Sequence, residues 1–152
     1  MLFAVLQDPA IYAFLDESAP ASLAALEARY ARMAARESPD GTQRWLNWVI
    51  SERDGPPCGY VQATVLQDGR AWVAYVLAPD RWGRGLATRA TCAMIGYLEG
   101  TLGVARCMAS VDARNDRSIA LLRRLAFHAA TENETAAAGV GPGDRLFVRE
   151  RG

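Results

Sequence analysis

Three strand-like segments in succession, joined by two turns, limit the possible folds more than any other feature of the sequence. Residues 44–50 are aromatic and β-branched, and they stop at the turn-forming stretch 54–57. Residues 59–66 follow, and Asp68-Gly69, a dipeptide that favours tight hairpins, separates them from residues 71–77. Two adjacent hairpins predict an antiparallel meander within one sheet.

After the third strand the pattern changes to an alternation of helices and strands. Residues 86–98 have helical spacing, residues 105–111 predict a strand, and residues 116–125 predict an amphipathic helix. Residues 145–149 predict a last strand. A meander followed by this alternation indicates an α/β (α+β) domain with a mixed, mostly antiparallel central sheet.

The residues before the meander predict helices. Residues 1–15 are apolar and broken by Pro9, which indicates short helical pieces. A helix then begins after Ser22, a residue that can cap a first turn, and apolar side chains recur along it at helical spacing. The turn-forming stretch 38–41 predicts its end.

Composition and charge exclude several classes of protein. We expect residues 1–152 to form a single domain, because this length supports a complete core. The 17 basic residues, all arginines, balance 17 acidic ones, which argues against a nucleic-acid partner. No apolar run is long enough to cross a membrane, and the start lacks the basic region of a secretory signal. We therefore expect a cytoplasmic protein with no membrane partner. Arginine without lysine is typical of a GC-rich genome, and we expect a bacterial source.

Cysteine and histidine usage argues against a metal site. The cysteines Cys58, Cys92 and Cys107 are odd in number and form no C-x-x-C pair, and His128 is the only histidine. Neither a disulfide framework nor a zinc site is predicted, and we expect no metal cofactor.

The segment from residue 77 to residue 88 carries a pattern suited to phosphate. A strand runs out, Gly83 and Gly85 follow, and a helix starts whose first backbone N–H groups have no partner within the helix. Such a helix end binds phosphate, and Arg81 and Arg84 add positive charge. Glycines alone also fit an ordinary strand-to-helix turn. A P-loop is excluded because the chain has no lysine, and a dinucleotide loop would need a third glycine where Thr88 stands.

Two sequence blocks resemble the GCN5-related N-acetyltransferases. Residues 82–87, Trp-Gly-Arg-Gly-Leu-Ala, are similar to the family's acyl-CoA loop, Gln/Arg-x-x-Gly-x-Gly/Ala, and tryptophan at the first position is typical of its Rim-type branch of ribosomal-protein N-terminal acetyltransferases. Residues 111–127 resemble a second block, Asn-x-x-Ser-x-x-(Leu/Val)-Leu-x-x-Leu-Gly-Phe, with Ala126 in place of the usual glycine. The blocks lie at the family's separation, and the resemblance covers about residues 45–127.

The resemblance implies a fold and a co-substrate. Family members have helices on both faces of the sheet and insert the pantetheine arm of acetyl-CoA between two splayed strands. By resemblance, Asn115 would bond the arm from the second block. The arm would pair with the backbone groups of Tyr75, Val76 and Leu77. The pyrophosphate would be held by the backbone amides of Gly83, Arg84, Gly85, Leu86, Ala87 and Thr88.

The candidate catalytic residues depart from the family. Many relatives have a glutamate where this chain has Ser110 and a general-acid tyrosine where it has Leu122. The Rim-type branch often carries a serine at the position of Ser118, which we consider as a proton donor or an orienting group for water; it could equally cap the helix that starts near residue 116. For a base, Glu134 is the candidate that we name, with Glu132 and Asp112 as others. Each of the three could instead be a solvated loop or turn charge.

We therefore predict an N-acetyltransferase that moves an acetyl group from acetyl-CoA to a primary amine by direct attack. The acceptor is a protein N-terminus or a small-molecule amine. A non-catalytic acyl-CoA-binding module and an unrelated nucleotide-binding domain are the alternatives. The family's usual first strand is not visible in the sequence, so we expect an exposed sheet edge that could pair with a second subunit in a homodimer.

Overall fold

The computed structural model describes residues 2–15 and 17–152 of the chain. The opening is helical as predicted, with α1 (Leu2–Val5), a 3-10 turn (Pro9–Tyr12) and α2 (Leu23–Met33). Ser22 caps α2, since its hydroxyl accepts a hydrogen bond from the Ala25 N–H at 3.0 Å.

The end of α2 differs from the prediction. The helix stops at Met33, five residues before the stretch expected to end it. Arg36 takes a left-handed conformation with φ of 59°, and its carbonyl accepts a hydrogen bond from the Trp45 N–H at 2.8 Å. The chain therefore turns back towards the sheet before residue 38.

Within the described residues, six strands and three further helices follow α2. The strands are β1 (Gln43–Ser51), β2 (Pro57–Leu66), β3 (Arg70–Leu77), β4 (Arg106–Asp112), β5 (His128–Ala129) and β6 (Asp144–Glu150), and the helices are α3 (Leu86–Gly100), α4 (Asp116–Arg124) and α5 (Glu132–Ala137). They form one open sheet in the order β1-β2-β3-β4-β6-β5, in which only β3 and β4 run parallel. The predicted meander and mixed, mostly antiparallel sheet are confirmed.

Alternation along the strands separates two apolar layers. On one face, Val61 and Val73 pack in a core that includes Leu98 of α3 and Leu122 of α4. On the other face, Tyr60 packs in a second cluster with residues of α1 and α2. Helices therefore cover both faces of the sheet, as the resemblance implied.

The middle of the sheet is only partly paired. β3 and β4 pair at Arg70–Arg106, Ala71–Cys107 and Trp72–Met108, and their pairing stops there. β3 continues along β2 as far as Leu77, while β4 continues along β6 as far as Asp112. The two strands consequently diverge towards their carboxyl ends.

The first strand of the sheet has a free outer edge. Its start is bridged by residues 36–38, but alternation turns the N–H and C=O groups of Asn47 and Val49 outwards beyond this bridge. The Val49 side chain is 58% exposed. Within the part of the chain that the structure describes, no strand precedes β1.

Candidate active site

A cleft of about 400 Å³ lies where β3 and β4 diverge. Side chains from three directions line it: from β3, from the end of β4 and from the first turns of α4. Its lining residues include Tyr75, Leu77, Asp112, Asn115, Arg117 and Ser118. The segment 10–15 closes a further side, with the Arg114 guanidinium 5.5 Å from the centre of the Phe14 ring.

The backbone of β3 presents hydrogen-bonding groups to this cleft. The Ala78 N–H donates to the Cys58 carbonyl at 2.7 Å, which fixes the register and turns the even-numbered residues of β3 towards β2. Tyr75 and Leu77 therefore direct their N–H and C=O groups to the open side. We expected the backbone of Val76 to pair with the arm as well, and this is wrong, because its N–H and C=O groups point to β2. Val76 still lines the cleft.

Trp82 fixes the end of β3. Its indole Nε1–H donates to the Leu77 carbonyl at 2.9 Å, and the guanidinium of Arg117 stacks over its ring at 3.9 Å from the centroid. The sequence comparison pointed to Trp82 as part of a loop pattern but gave no indication of either contact.

The glycine loop leaves a row of backbone amides open. Gly83 and Gly85 have φ of 80° and 76°, conformations that favour glycine, and Gly85 precedes α3 without a side-chain cap. Among the residues described, no carbonyl or side chain accepts from the backbone N–H groups of residues 83–88. The Trp82 N–H is occupied, since it donates to the Pro79 carbonyl at 3.2 Å. The open amides and the positive end of α3 suit an anion.

One carboxylate, Glu52, holds the two arginines of this loop. It contacts the Arg81 guanidinium directly, and its Oε1 lies 3.6 Å from Nη1 of Arg84. Hydrogen bonding to this carboxylate raises the pKa of Arg81. Glu52 follows β1, 29 residues before Arg81, so no local sequence pattern predicts the contact.

A phenol and a hydroxyl meet inside the cleft. The Tyr75 hydroxyl lies in short contact with Ser118 Oγ and donates to the Ser118 carbonyl at 3.3 Å. Burial raises the pKa of Tyr75 to about 12, so the phenol stays protonated around neutral pH.

The cap of α4 is Asn115. Its Oδ1 accepts from the Ser118 N–H at 3.2 Å, so the capping role considered for Ser118 belongs to Asn115. Ser118 is thereby left with its hydroxyl in the cleft beside Tyr75.

The structure does not bring Glu134 to Ser118. Glu134 forms a capping box with Thr131 and bonds Nη1 of Arg106 at 3.2 Å. Arg106 is the first residue of β4, whereas the cleft is lined by residues 109–112 of that strand, about 10–20 Å further along at the rise of a strand, and Glu134 is not among its lining residues. Glu134 therefore has a structural role, and our prediction of it as the base is corrected. Glu132 lies on the same short helix.

Asp112 lies at the cleft but is a weak base. Its carboxylate accepts from Nε and Nη2 of Arg114 at 3.0 and 2.9 Å, and these bonds lower its pKa to about 2. Ser110 and Leu122 also line the cleft, at the positions where many relatives carry a glutamate and a tyrosine. The cleft thus offers hydroxyl donors and a weakly basic carboxylate.

Two further findings apply to residues 2–15 and 17–152. No helix there is both long and apolar enough to span a membrane. No three His, Cys, Asp or Glu side chains come together in the way that a metal ion would require.

Comparison with known proteins identifies the class that this fold and cleft define. The family profile described as "Acetyltransferase (GNAT) domain" matches residues 1–128, so the chain belongs to the GNAT acetyltransferase family. A curated relative, the "uncharacterized N-acetyltransferase p20" of Bacillus licheniformis, is 38% identical over 92 residues, which are 59% of this chain. The match spans about half, 51%, of that relative's length.

Solved structures share the fold. The spermidine N-acetyltransferase of Vibrio cholerae in complex with CoA and spermine superposes with a TM-score of 0.75 at 14% identity, covering 99% of this chain and 88% of that one. The aminoglycoside acetyltransferase AAC(6')-Ib with coenzyme A and kanamycin gives 0.74 at 19% identity, with coverage of 99% and 88%. A domain from Methanocaldococcus jannaschii gives 0.73 at 18% identity, with 98% and 89%.

Proposed function

We propose that the protein is an N-acetyltransferase that moves the acetyl group of acetyl-CoA to a primary amine by direct attack. The observation that carries this proposal is the open cleft between β3 and β4, which ends at a glycine loop whose amides have no partner within the described chain. Family membership and the folds of CoA-bound acetyltransferases support it.

CoA would occupy this cleft along its whole length. Its pyrophosphate would accept hydrogen bonds from the amides of residues 83–88 at the positive end of α3. Its pantetheine amides would pair with the outward groups of Tyr75 and, more weakly, Leu77, whose carbonyl already accepts from Trp82. The Nδ2 group of Asn115 would bond the arm from the opposite wall, since only its Oδ1 serves the helix cap.

Each of the cleft's groups has a task in acyl transfer. The Tyr75 or Leu77 N–H would stabilise the oxyanion that forms on the thioester carbonyl. Ser118 would donate a hydrogen bond to the sulfur as it leaves. Among the residues described, the acidic side chains at the cleft wall are Asp112 and Asp144, with no histidine or glutamate beside them, and hydrogen bonds from Arg114 lower the pKa of Asp112 to about 2.

A weak base selects among amines. At pH 7 a lysine side chain with a pKa near 10.4 needs about 4.6 kcal/mol to become neutral, whereas an α-amine with a pKa near 8 needs about 1.4 kcal/mol. We therefore propose an acceptor of low pKa, such as a protein α-amine or an activated small-molecule amine. The presence of Trp82 and Ser118, as in the Rim-type branch, supports an α-amine as the acceptor. The spermidine and aminoglycoside acetyltransferases that share the fold support a small-molecule amine instead.

The test measures CoA binding and thiol release separately. The protein and acetyl-CoA are mixed with one of four amines: spermidine, kanamycin and two peptides. The first peptide has a free N-terminus and no lysine. The second has an acetylated N-terminus and one lysine. We expect thiol release with at least one amine, and faster release with the free α-amine than with the lysine. Tight CoA binding without release from any amine would instead support the non-catalytic module, which the presence of Ser110 and Leu122 favours. Preference for ATP or NAD over CoA would refute both.

We also propose that the free edge of β1 pairs with a second copy of the chain. Outward N–H and C=O groups at Asn47 and Val49 and the 58% exposed Val49 side chain support this. Light scattering after gel filtration should give a dimer for the wild type and a monomer for Val49→Lys. A wild-type monomer at all concentrations would exclude the pairing.

A further inference from the structure

We propose that the Tyr75 phenol is a positioning residue that turns the Ser118 hydroxyl proton towards the sulfur of bound CoA. This inference rests on the proposed function, because it requires the thioester to lie in the cleft between β3 and β4. It adds a role for the side chain of Tyr75, which otherwise enters only through its backbone.

The contacts around Ser118 fix this residue from two sides. Its backbone N–H donates to Asn115 Oδ1, and its carbonyl accepts from the Tyr75 hydroxyl at 3.3 Å. The contact of the phenol with Ser118 Oγ is the closer of the two. Tyr75 comes from β3 and Ser118 from α4, so the contact bridges the cleft where the two walls meet.

The inventory of donors allows two directions for the contact between the Tyr75 hydroxyl and Ser118 Oγ. A hydroxyl carries one proton and can accept twice. The Ser118 carbonyl can only accept, so the phenol donates to it, whereas in the contact with Oγ either hydroxyl can be the donor. In the proposed arrangement the phenol proton serves both oxygens of Ser118. With the phenol as donor, the Ser118 proton is left to point into the cavity. Leu122, one turn further along α4, is fully buried and has no polar atom to offer.

The acid strengths make Tyr75 a positioning group and not the proton source. Its pKa is about 12, and a thiol has about 8.5, so proton transfer from the phenol to a thiolate is uphill by roughly 3.5 pKa units. Both hydroxyls therefore keep their protons and stabilise charge through hydrogen bonds.

The reaction balances without a proton from either hydroxyl. The neutral amine attacks the thioester carbonyl, the N–C bond forms, and the C–S bond breaks with its electron pair on sulfur. The nitrogen loses its extra proton to water. The thiolate is held by the Ser118 hydrogen bond until it takes a proton from solvent on release.

The test uses the pKa of the thiol of bound CoA, which needs no acceptor. It is read from the ultraviolet absorbance of the thiolate, as a difference against protein without CoA, in a Cys92→Ser background because Cys92 is exposed. The variants are Tyr75→Phe, Ser118→Ala and both together. Tyr97→Phe, at an exposed tyrosine of α3 outside this cleft, is the matched control.

We expect the bound thiol in the parent protein to titrate below the usual value of about 8.5. Ser118→Ala should raise its pKa by about 1 unit and Tyr75→Phe by about half a unit, with no further increase in the double variant. Tyr97→Phe should leave it unchanged. With the best amine of spermidine, kanamycin and the free peptide, Tyr75→Phe should lower kcat about tenfold while KM for acetyl-CoA stays within about twofold.

The outcomes separate this inference from the proposed function. An unchanged thiol pKa in Tyr75→Phe, with CoA still bound, overturns only the role of Tyr75. The role of Tyr75 is also overturned if Tyr75→Phe raises the thiol pKa by the same amount in the Ser118→Ala background as in the parent protein, because the phenol would then act independently of Ser118. Absence of CoA binding by the parent protein overturns the proposed function, and this inference with it.

Discussion

Gly59 on β2 makes the closest approach to the cleft-forming strand, and replacing it tests the geometry of that strand. A Cβ added at Gly59 would lie 2.2 Å from the Val76 carbonyl oxygen and 2.9 Å from the Leu77 Cα. Both are backbone atoms of β3, so no side chain can rotate away. Gly59→Ala must therefore push the last residues of β3 by about 1 Å, since carbon and oxygen normally stay more than 3 Å apart.

The expected cost is that of overpacking a rigid site, about 3 kcal/mol. For a domain of this size each kcal/mol shifts the Tm by about 2–4 °C, so the Tm should fall by about 6–12 °C. Because Tyr75 and Leu77 lie on the displaced strand, the affinity for CoA should fall as well. Thermal unfolding followed by circular dichroism and calorimetric titration with CoA measure the two effects.

Gly96 in α3 provides a matched control of opposite sign. No heavy atom lies within 4 Å of its added Cβ, and its backbone is helical. Gly96→Ala should therefore stabilise the protein by about 1 kcal/mol through helix propensity. A Gly59→Ala variant as stable as the wild type, or a Gly96→Ala variant that loses as much as Gly59→Ala, would refute the reasoning.

Three other changes have defined outcomes. Gly85→Ala should cost about 1–2 kcal/mol in a denaturant titration and weaken CoA binding in calorimetry, because Gly85 holds a φ of 76° at the start of α3. Asp112, whose pKa falls from 3.8 to about 2 in the folded state, stabilises the protein fully above about pH 4 and loses this contribution as pH falls towards 2. Asp112→Asn should therefore reduce the pH dependence of the Tm between pH 4 and 2, and an unchanged profile would contradict the assignment. Arg149 bonds both oxygens of Glu99, at 3.0 and 3.2 Å, and the Leu125 carbonyl at 2.8 Å. Arg149→Lys should cost about 1–2 kcal/mol in urea unfolding, since an ammonium cannot reproduce the planar fork, and Arg151→Lys at the exposed end is the control.

The meander and the glycine loop could be predicted because their causes are local. Strands β1 to β3 follow from alternation and turn residues within a few positions, and the observed ends differ from the expected ones by at most two residues. The two-residue β5 and the six-residue α5 were not predicted, because such short elements show little periodicity in a sequence.

The prediction of Glu134 as a base shows a different kind of error. The sequence from Thr131 to Glu134 has the spacing of a capping box, which explains an acidic residue by helix termination alone. The capping box accounts for the acidic residue without a catalytic role. The contacts of Tyr75 with Ser118 and of Glu52 with Arg81, by contrast, join residues 43 and 29 positions apart. They depend on how far two strands diverge, which no local pattern encodes.

In the part of the chain that the structure describes, three residue pairs between β3 and β4 join the two halves of the sheet, and this affects how the protein's stability depends on its ligand. Under the proposed function, the pantetheine arm of CoA supplies the hydrogen bonds that β4 does not make with the end of β3, so the ladder is continuous when CoA is bound and interrupted when it is not. A ligand at 100 times its Kd adds about 2.7 kcal/mol to the stability of the state that binds it. Resistance to proteolysis would then rise and fall with the total concentration of CoA and its thioesters.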